Sequence, residues 1–267
     1  YTGVGGGFVV VSCDDPGMHS SQNEQDNRNY AAFGKIPMLE ASDSQECMDF
    51  VGRALEMSEE YDTPVLLRLS TRLSHTRCVV ESEGERPAEW PRGFSKDIEK
   101  FVMVPAYARV RHRFVEERLE RLAALSESID LNRIEEGRDD FGLISSGVTY
   151  QYAREAFPDA SIFKLGMSYP MPIERLREFV ERMERVYVIE ELDPFFEMRL
   201  LAAGIAVRGK SLLTPCGEYT PRMIRKAILT DLGRTEATQV AMPADEPRPE
   251  AGLPPRPPVM CPGCAHR

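Results

Sequence analysis

Residues 141–165 read FGLISSGVTYQYAREAFPDASIFKL, in which two short apolar runs flank a segment with helical spacing. Residues 141–144 and 161–165 are predicted strands, and residues 148–157 are the predicted helix between them. The same alternation continues to residue 229, with predicted elements at 173–183 (helix), 186–189 (strand), 193–203 (helix), 205–207 (strand) and 220–229 (helix). Strands joined by helices of about ten residues require crossover connections, so an α/β domain with a parallel sheet is predicted over residues 137–235.

An earlier stretch, residues 1–77, has the same organisation. Its predicted strands are 8–11, 37–40 and 64–69, and a helix is predicted from Ser42 to Tyr61. Ser42 is the expected N-cap, because Gln45 three residues later completes a capping-box pattern. Residues 78–136 are expected to connect the two α/β regions, with Trp90 anchoring the crossing and a helix at 112–126.

A polar loop, Asp14 to Arg28, follows the first predicted strand and reads DDPGMHSSQNEQDNR. Ligands of open α/β sheets bind where parallel strands end in loops. This loop is therefore the first candidate site. The segment Arg72-Leu73-Ser74-His75 follows another predicted strand and is the second candidate.

Two segments of the second region also carry polar groups at strand ends. Ser145-Ser146-Gly147 has the composition of a tight turn that needs glycine, with anion binding as the alternative. In ELDPF, residues 191–195, Asp193 is predicted to cap a helix that Pro194 begins. Glu190 and Glu191 fit either an interdomain contact or acid–base chemistry.

The C-terminal residues combine a proline-rich stretch with a cysteine pair. Residues 236–258 are rich in proline and are predicted to be a linker. Cys261 and Cys264 follow it in CPGCAHR, and their spacing allows both sulfurs to bind one metal centre. A turn without metal, a zinc site and redox thiols are the alternatives. The other cysteines stand apart in the sequence and are expected to be ordinary thiols: Cys13, Cys47, Cys78 and Cys216.

Composition limits the classes of partner. The formal net charge is −10, which disfavours nucleic acids and anionic membranes, because both are bound through clustered lysine and arginine. No apolar stretch approaches the roughly 20 residues that cross a bilayer, and no signal peptide is visible. A cytoplasmic protein is therefore predicted.

Three motifs, DDPGMHSSQNEQD, ELDPF and CPGC-x-HR, resemble those of the thiamine-diphosphate-dependent 2-oxoacid:ferredoxin oxidoreductases. The closest resemblance is to the indolepyruvate ferredoxin oxidoreductase α subunits, and it extends over essentially the whole chain. It implies that residues 1–77 are the second half of a pyrimidine-binding domain and 137–235 a transketolase C-terminal-like domain. Residues 259–267 would begin a diphosphate-binding domain, so the resemblance implies an internal fragment of a longer polypeptide.

The resemblance also implies an activity. Enzymes of this family oxidatively decarboxylate a 2-oxoacid, here indolepyruvate or another aryl pyruvate, to an acyl-CoA, and pass the electrons through iron–sulfur clusters to ferredoxin. The implied cofactors are thiamine diphosphate, Mg²⁺ and [4Fe-4S] clusters, with coenzyme A as co-substrate. The implied partners are the β subunit of the same enzyme, ferredoxin and the small-molecule 2-oxoacid. A sister enzyme for pyruvate, 2-oxoglutarate or a branched-chain 2-oxoacid, or a non-catalytic assembly module, remains as an alternative.

The same resemblance assigns roles to residues. His19 would exchange protons near neutral pH, although a structural hydrogen bond is the simpler explanation for it and for His75. Cys261 and Cys264 would bind a [4Fe-4S] cluster. The remaining candidates would bind or orient cofactor and substrate: Ser20, Ser21, Gln22, Asn23, Glu24, Asp26, Arg28, Arg72 and His75.

Overall fold

A computed structural model describes residues 1–82, 93 and 96–234 of the chain. Its strands are β1 (Val9–Asp14), β2 (Met38–Glu40), β3 (Val65–Ser70), β4 (Arg133–Glu135), β5 (Arg138–Ser146), β6 (Ala160–Leu165), β7 (Met167–Tyr169) and β8 (Val186–Ile189). Its helices are α1 (Arg28–Gly34), α2 (Ser44–Tyr61), α3 (Thr71–Ser74), α4 (Ile98–Phe101), α5 (Pro105–Ser126), α6 (Gly147–Ala156), α7 (Ile173–Glu181), α8 (Phe195–Ala202) and α9 (Pro221–Asp231). Trp90, the linker 236–258 and the pair Cys261 and Cys264 lie outside the described residues.

The strands form two sheets, in the orders β1-β3-β2-β7 and β4-β6-β5-β8. In the first sheet β1, β3 and β2 are parallel, and in the second β6, β5 and β8 are parallel. The short strands β7 and β4 add to β2 and β6 in the antiparallel direction. The predicted α/β class with parallel strands is confirmed.

The two sheets share a core and are joined by the chain itself. One apolar cluster contains Met38 and Leu66 of the first sheet and Phe163 and Val188 of the second. After β6 the chain needs a single residue, Gly166, before β7 joins the first sheet. The carboxyl ends of strands from both sheets are therefore brought to one place.

Two predicted elements differ from the structure, and two strands were not predicted. Residues 205–207 form no strand; the neighbouring Arg208 makes only an isolated bridge with Tyr187. Helix α5 begins at Pro105 rather than at residue 112, with proline in the first turn, where its missing N–H costs nothing. Strands β4 and β7 were not predicted, because their sequences, Arg-Ile-Glu and Met-Ser-Tyr, contain no apolar run.

The N-cap of α2 is Asp43, so the prediction of Ser42 is wrong. The Asp43 carboxylate accepts the Glu46 N–H at 2.9 Å. Glu46 in turn accepts hydrogen bonds from the Ser42 N–H and hydroxyl, at 2.9 and 2.8 Å. The capping pattern exists one residue later than predicted, with Glu46 rather than Gln45 reaching back.

In the described part of the chain, no helix is both long and apolar enough to cross a membrane.

Candidate functional site

Charged side chains at the ends of neighbouring strands meet between the two sheets. Arg68 of β3 donates to Asp14 Oδ2, at the end of β1, over 2.8 Å and to Glu40 Oε2, at the end of β2, over 2.6 Å. Ser146, at the end of β5, donates to the same Glu40 oxygen over 3.1 Å. We call this group and its charged neighbours the inter-sheet cluster; its charged members are Asp14, Asp26, Arg28, Glu40, Arg68, Glu190, Glu191 and Lys210.

Arg28 is the central cation of the inter-sheet cluster. It is 1% exposed, and its Nη1 donates to Glu190 Oε2 over 2.6 Å while Nε and Nη2 donate to the Asp26 carboxylate. Nη2 also donates to the carbonyl oxygens of Glu191 and Asp193, at 2.8 and 2.9 Å. Burial would lower the pKa of Arg28, but Glu190 and Asp26 raise it above its usual value.

The guanidinium of Arg28 is thus directed into the protein. The sequence-based prediction that Arg28 binds a cofactor is corrected, because its side chain ties α1 to the end of β8 instead. Asp26 pairs with Arg28, and both side chains are buried. The Asp26 carboxylate is therefore not exposed to a ligand.

Glu190 also caps helix α8. Its carboxylate accepts the N–H groups of Phe196 and Glu197, at 2.9 and 3.0 Å. The predicted cap, Asp193, is wrong: Pro194 precedes the helix, and the Asp193 carboxylate accepts from Asn29 Nδ2 over 3.0 Å. Of the two explanations for the glutamates, the contact with Arg28 confirms the interdomain one for Glu190.

Two members of the inter-sheet cluster titrate close to neutral pH. Burial raises the pKa of Glu191 to about 7, against the opposing hydrogen bond from the Tyr219 N–H at 2.7 Å. Burial also lowers the pKa of Lys210 to about 8, although Glu190 opposes this. Lys210 Nζ donates to the Glu190 carbonyl oxygen over 2.6 Å and lies 2.8 Å from the Tyr219 hydroxyl. The cluster can therefore change charge in the physiological range.

The cluster encloses a small cavity of about 10 Å³ beside Glu40, Arg68 and Glu191. Glu40 Oε1 is buried and has no hydrogen-bond partner in the described residues. The volume suffices for a single water molecule, which would satisfy that oxygen. Gly147 lines the cavity with a φ of +53°, which confirms the predicted tight turn at residues 145–147.

The loop Asp14 to Arg28 is anchored from inside, with its tip at the surface. Asp15 Oδ2 accepts the N–H groups of Ser20 and Ser21, both at 2.8 Å, and these bonds outweigh burial and hold the pKa of Asp15 below its usual value. Glu24 Oε1 accepts the Gly17 N–H and, over 2.8 Å, the Gly217 N–H. The side chains of residues 19–23 are exposed.

Glu218 joins the two candidate segments. His19 Nε2 lies 3.3 Å from Glu218 Oε2, and Arg72 donates to both carboxylate oxygens over 2.7 and 2.5 Å. Burial opposes the charge of Glu218, but Arg72 keeps its pKa below the usual value. The structure thus brings His19 and Arg72 together through a residue that sequence reasoning missed. His75 is exposed at the end of α3.

In this arrangement, buried charged residues form the floor of the site and exposed polar residues form its rim. The rim consists of the loop tip, with Arg72 and His19 held by Glu218, and it lies at the carboxyl ends of the strands. Such an edge suits a polar or anionic small molecule. Within residues 1–82, 93 and 96–234, no group of three His, Cys, Asp or Glu side chains could hold a metal ion.

Known proteins similar to this chain fall in one group. It is 43% identical over 282 residues to indolepyruvate oxidoreductase subunit IorA of Methanothermobacter marburgensis, and 38% identical over 280 residues to the subunit of that name from Archaeoglobus fulgidus. Each alignment covers the whole of this chain and 44% of the relative, so the chain spans less than half the length of the curated relatives it matches. No protein-family model matches the chain.

Among solved structures, a 2-oxoglutarate:ferredoxin oxidoreductase from Magnetococcus marinus, with 2-oxoglutarate, coenzyme A and succinyl-CoA bound, has a similar fold. The superposition has a TM-score of 0.58 at 17% identity and covers 85% of this chain and 49% of the other. At this identity the likeness extends to the fold alone.

Proposed function

Because this chain belongs to the family of indolepyruvate oxidoreductase subunit IorA, we propose that it is part of an enzyme that oxidatively decarboxylates aryl pyruvates to acyl-CoA. The observation that carries the proposal is the whole-chain similarity, at 37–44% identity, to six proteins of that one name. The proposed electron acceptor is ferredoxin, reached through [4Fe-4S] clusters, and the proposed partner is the β subunit of the same enzyme. We place the protein in the cytoplasm.

The proposed domain organisation follows the resemblance. Residues 1–77 are assigned to a pyrimidine-binding domain and 137–235 to a transketolase C-terminal-like domain, with 259–267 opening a diphosphate-binding domain. One detail modifies the connection 78–136: β4 pairs with β6, so the second sheet already includes residues 133–135.

Thiamine diphosphate, when bound, supplies the electron sink for loss of carbon dioxide from a 2-oxoacid. The inter-sheet cluster does not fit this cofactor, since its cavity of about 10 Å³ holds only a water molecule. The exposed donors of the loop tip do fit a polar ligand, and we assign Ser20, Ser21, Gln22 and Asn23 to it. In the described residues no group of three His, Cys, Asp or Glu side chains could hold a metal ion, and the proposed cluster ligands Cys261 and Cys264 lie beyond those residues.

The residues of this chain then act by position and charge. The backbone N–H groups of Ser20 and Ser21 and the Ser21 hydroxyl bond to Asp15, which leaves the Ser20 hydroxyl to bind the substrate carboxylate. His19 is the proposed proton-exchanging group, and its Nε2 lies 3.3 Å from Glu218 Oε2. Arg72 keeps Glu218 ionised and so orients His19. The loop is held against the second sheet by Glu24 and Gly217.

The proposal is tested by anaerobic, coenzyme-A-dependent reduction of a viologen dye by the full-length subunit with its partner. Indolepyruvate, phenylpyruvate, pyruvate and 2-oxoglutarate are compared, each with and without thiamine diphosphate. Cofactor-dependent reduction that prefers aryl pyruvates supports the proposal. A preference for pyruvate or 2-oxoglutarate assigns a sister enzyme, and no reduction by a cluster-loaded complex indicates a non-catalytic assembly module.

Substituting His19 tests the role of the loop tip. We expect His19→Gln to lower kcat/KM for the preferred 2-oxoacid by about 10²-fold or more, the range for loss of a general acid–base group. Stability should change little, because exposed ion pairs contribute about 1 kcal/mol or less.

The matched control is His112→Gln, since His112 is also an exposed histidine paired with a glutamate, Glu116, but on α5. It should retain wild-type rates. Equal kcat/KM for His19→Gln and His112→Gln would remove His19 from the mechanism.

A further inference from the structure

Three cysteines that stand far apart in the sequence lie at one edge of the first sheet. Cys13 is next to last in β1, and it shares a face of the sheet with Val9, which packs against the same apolar cluster as α2. Cys47 is in the first turn of α2 and packs against that cluster. Cys78 follows α3, which begins where β3 ends. The carboxyl ends of β1 and β3 and the start of α2 therefore gather the three thiols.

Hydrogen bonds hold the segment around Cys78 beside the other two. Gln45 and Glu81 bond in both directions, with Gln45 Nε2 donating to the Glu81 carbonyl over 3.0 Å and the Glu81 N–H donating to Gln45 Oε1 over 2.7 Å. These bonds place Glu81 against the first turn of α2, and Cys78 precedes Glu81 by three residues. On the other side, Ser74 Oγ lies 3.8 Å from Cys13 Sγ.

The thiols are accessible and free. Cys13 and Cys78 are exposed, and Cys47 is half-buried. Residues 77–82 have no helix or strand, so the Cys78 backbone can move to meet the geometric demand of a disulfide, whose Cα atoms lie within about 7 Å. Electrostatics support the grouping, because Cys47 experiences charge on both Cys78 and Cys13.

We propose that Cys47 and Cys78 are a thiol modification site that reacts with low-molecular-weight disulfides and closes an internal disulfide bond. The exposed Cys78 thiolate attacks one sulfur of the reagent, which releases one thiolate and leaves a mixed disulfide. Cys47 then loses its proton to solvent and attacks the Cys78 sulfur, which releases the second thiol. Two protein thiols are oxidised, and one reagent disulfide is reduced to two thiols.

The order of the steps follows from the environment of Cys47. Burial, together with Asp43 and Glu46, raises the pKa of the Cys47 thiol to about 11. Cys47 is therefore the slower nucleophile near pH 7 and acts second. The closed bond would tie the segment after α3 to α2, at the edge where the loop Asp14 to Arg28 begins.

The test uses the full-length subunit, prepared anaerobically and incubated with oxidised glutathione. Tryptic mapping without reduction separates the thiols, since Cys47 lies in peptide 36–53, Cys78 in peptide 78–92 and Cys13 in the peptide ending at Arg28. We expect peptides 36–53 and 78–92 to be linked in most molecules. With Cys47→Ser, we expect glutathione to remain bound at Cys78.

Cys216→Ser is the control, because Cys216 is an exposed thiol beside the second sheet. The link between peptides 36–53 and 78–92 should form unchanged in this variant, and dithiothreitol should remove it. Glutathione on single cysteines without an internal link would overturn the proposal, as would a link that joins Cys13 in place of Cys47.

Discussion

Arg28→Met is expected to lower the free energy of unfolding by about 3–5 kcal/mol, the usual cost of removing one partner from a buried ion pair. The substitution leaves the carboxylates of Asp26 and Glu190 buried without their cation. It also removes the donors to the carbonyl oxygens of Glu191 and Asp193. Urea unfolding of the 267-residue chain at pH 7 measures the difference.

Arg72→Met provides the contrast. Arg72 also pairs with a glutamate through two hydrogen bonds, but its side chain is 55% exposed. We expect a loss of about 1 kcal/mol or less, because water screens exposed pairs. If Arg28→Met and Arg72→Met lowered the free energy of unfolding equally, burial would not explain how much Arg28 contributes to stability.

A second large effect is expected from Glu191→Gln, and it depends on pH. The pKa of Glu191 rises from 4.5 to about 7 in the folded chain, so the folded state binds the proton more tightly than the unfolded state. The stability from this group is complete below about pH 4.5 and is lost as the pH rises through 7. At 1.36 kcal/mol per pKa unit the full loss is about 3 kcal/mol.

Glutamine has an oxygen that can accept the Tyr219 N–H, and it carries no charge at any pH. We therefore expect Glu191→Gln to match the wild type near pH 4.5 and to be more stable by up to about 3 kcal/mol at pH 8.5. Urea unfolding across this range measures both curves. The titration of Lys210 contributes to each of them and largely cancels in the difference.

Glu218→Gln tests the assignment, because Arg72 holds the pKa of the Glu218 carboxyl below its usual value, so its charge stabilises the folded state. This variant should be less stable than the wild type at pH 7, the opposite sign from Glu191→Gln at pH 8.5. A parallel pH dependence for wild type and Glu191→Gln would mean that another group titrates in this range.

Much of the fold could be predicted from local sequence patterns. Apolar runs and helical spacing predicted β5, α6, β6, α7 and β8 in order, and these elements are confirmed. The failures have physical causes. The N-caps of α2 and α8 depend on which carboxylate reaches which N–H group, and β4 and β7 contain no apolar run. The segment at 205–207 has strand composition, but Arg208 contributes only a bridge.

The candidate site was likewise predicted only in part from the sequence. The loop Asp14 to Arg28 was identified because polar residues follow a strand, and its exposed tip remains the proposed ligand surface. The family resemblance assigned Arg28 to a ligand, whereas Glu190, 162 residues away, pairs with its charge inside the protein. Glu218, Glu40, Arg68 and Lys210 had no sequence signal as site residues.

By itself, the sequence determined the α/β class, the order of most elements and the resemblance to one family, because periodicity and motifs are properties of neighbouring residues. Only the tertiary structure decided which charges are buried together, that Glu218 joins His19 to Arg72, and that three separate cysteines share one edge. Such pairings depend on where parallel strands end in space. Burial then sets their strength and moves the pKa values of Glu191 and Lys210 toward neutrality.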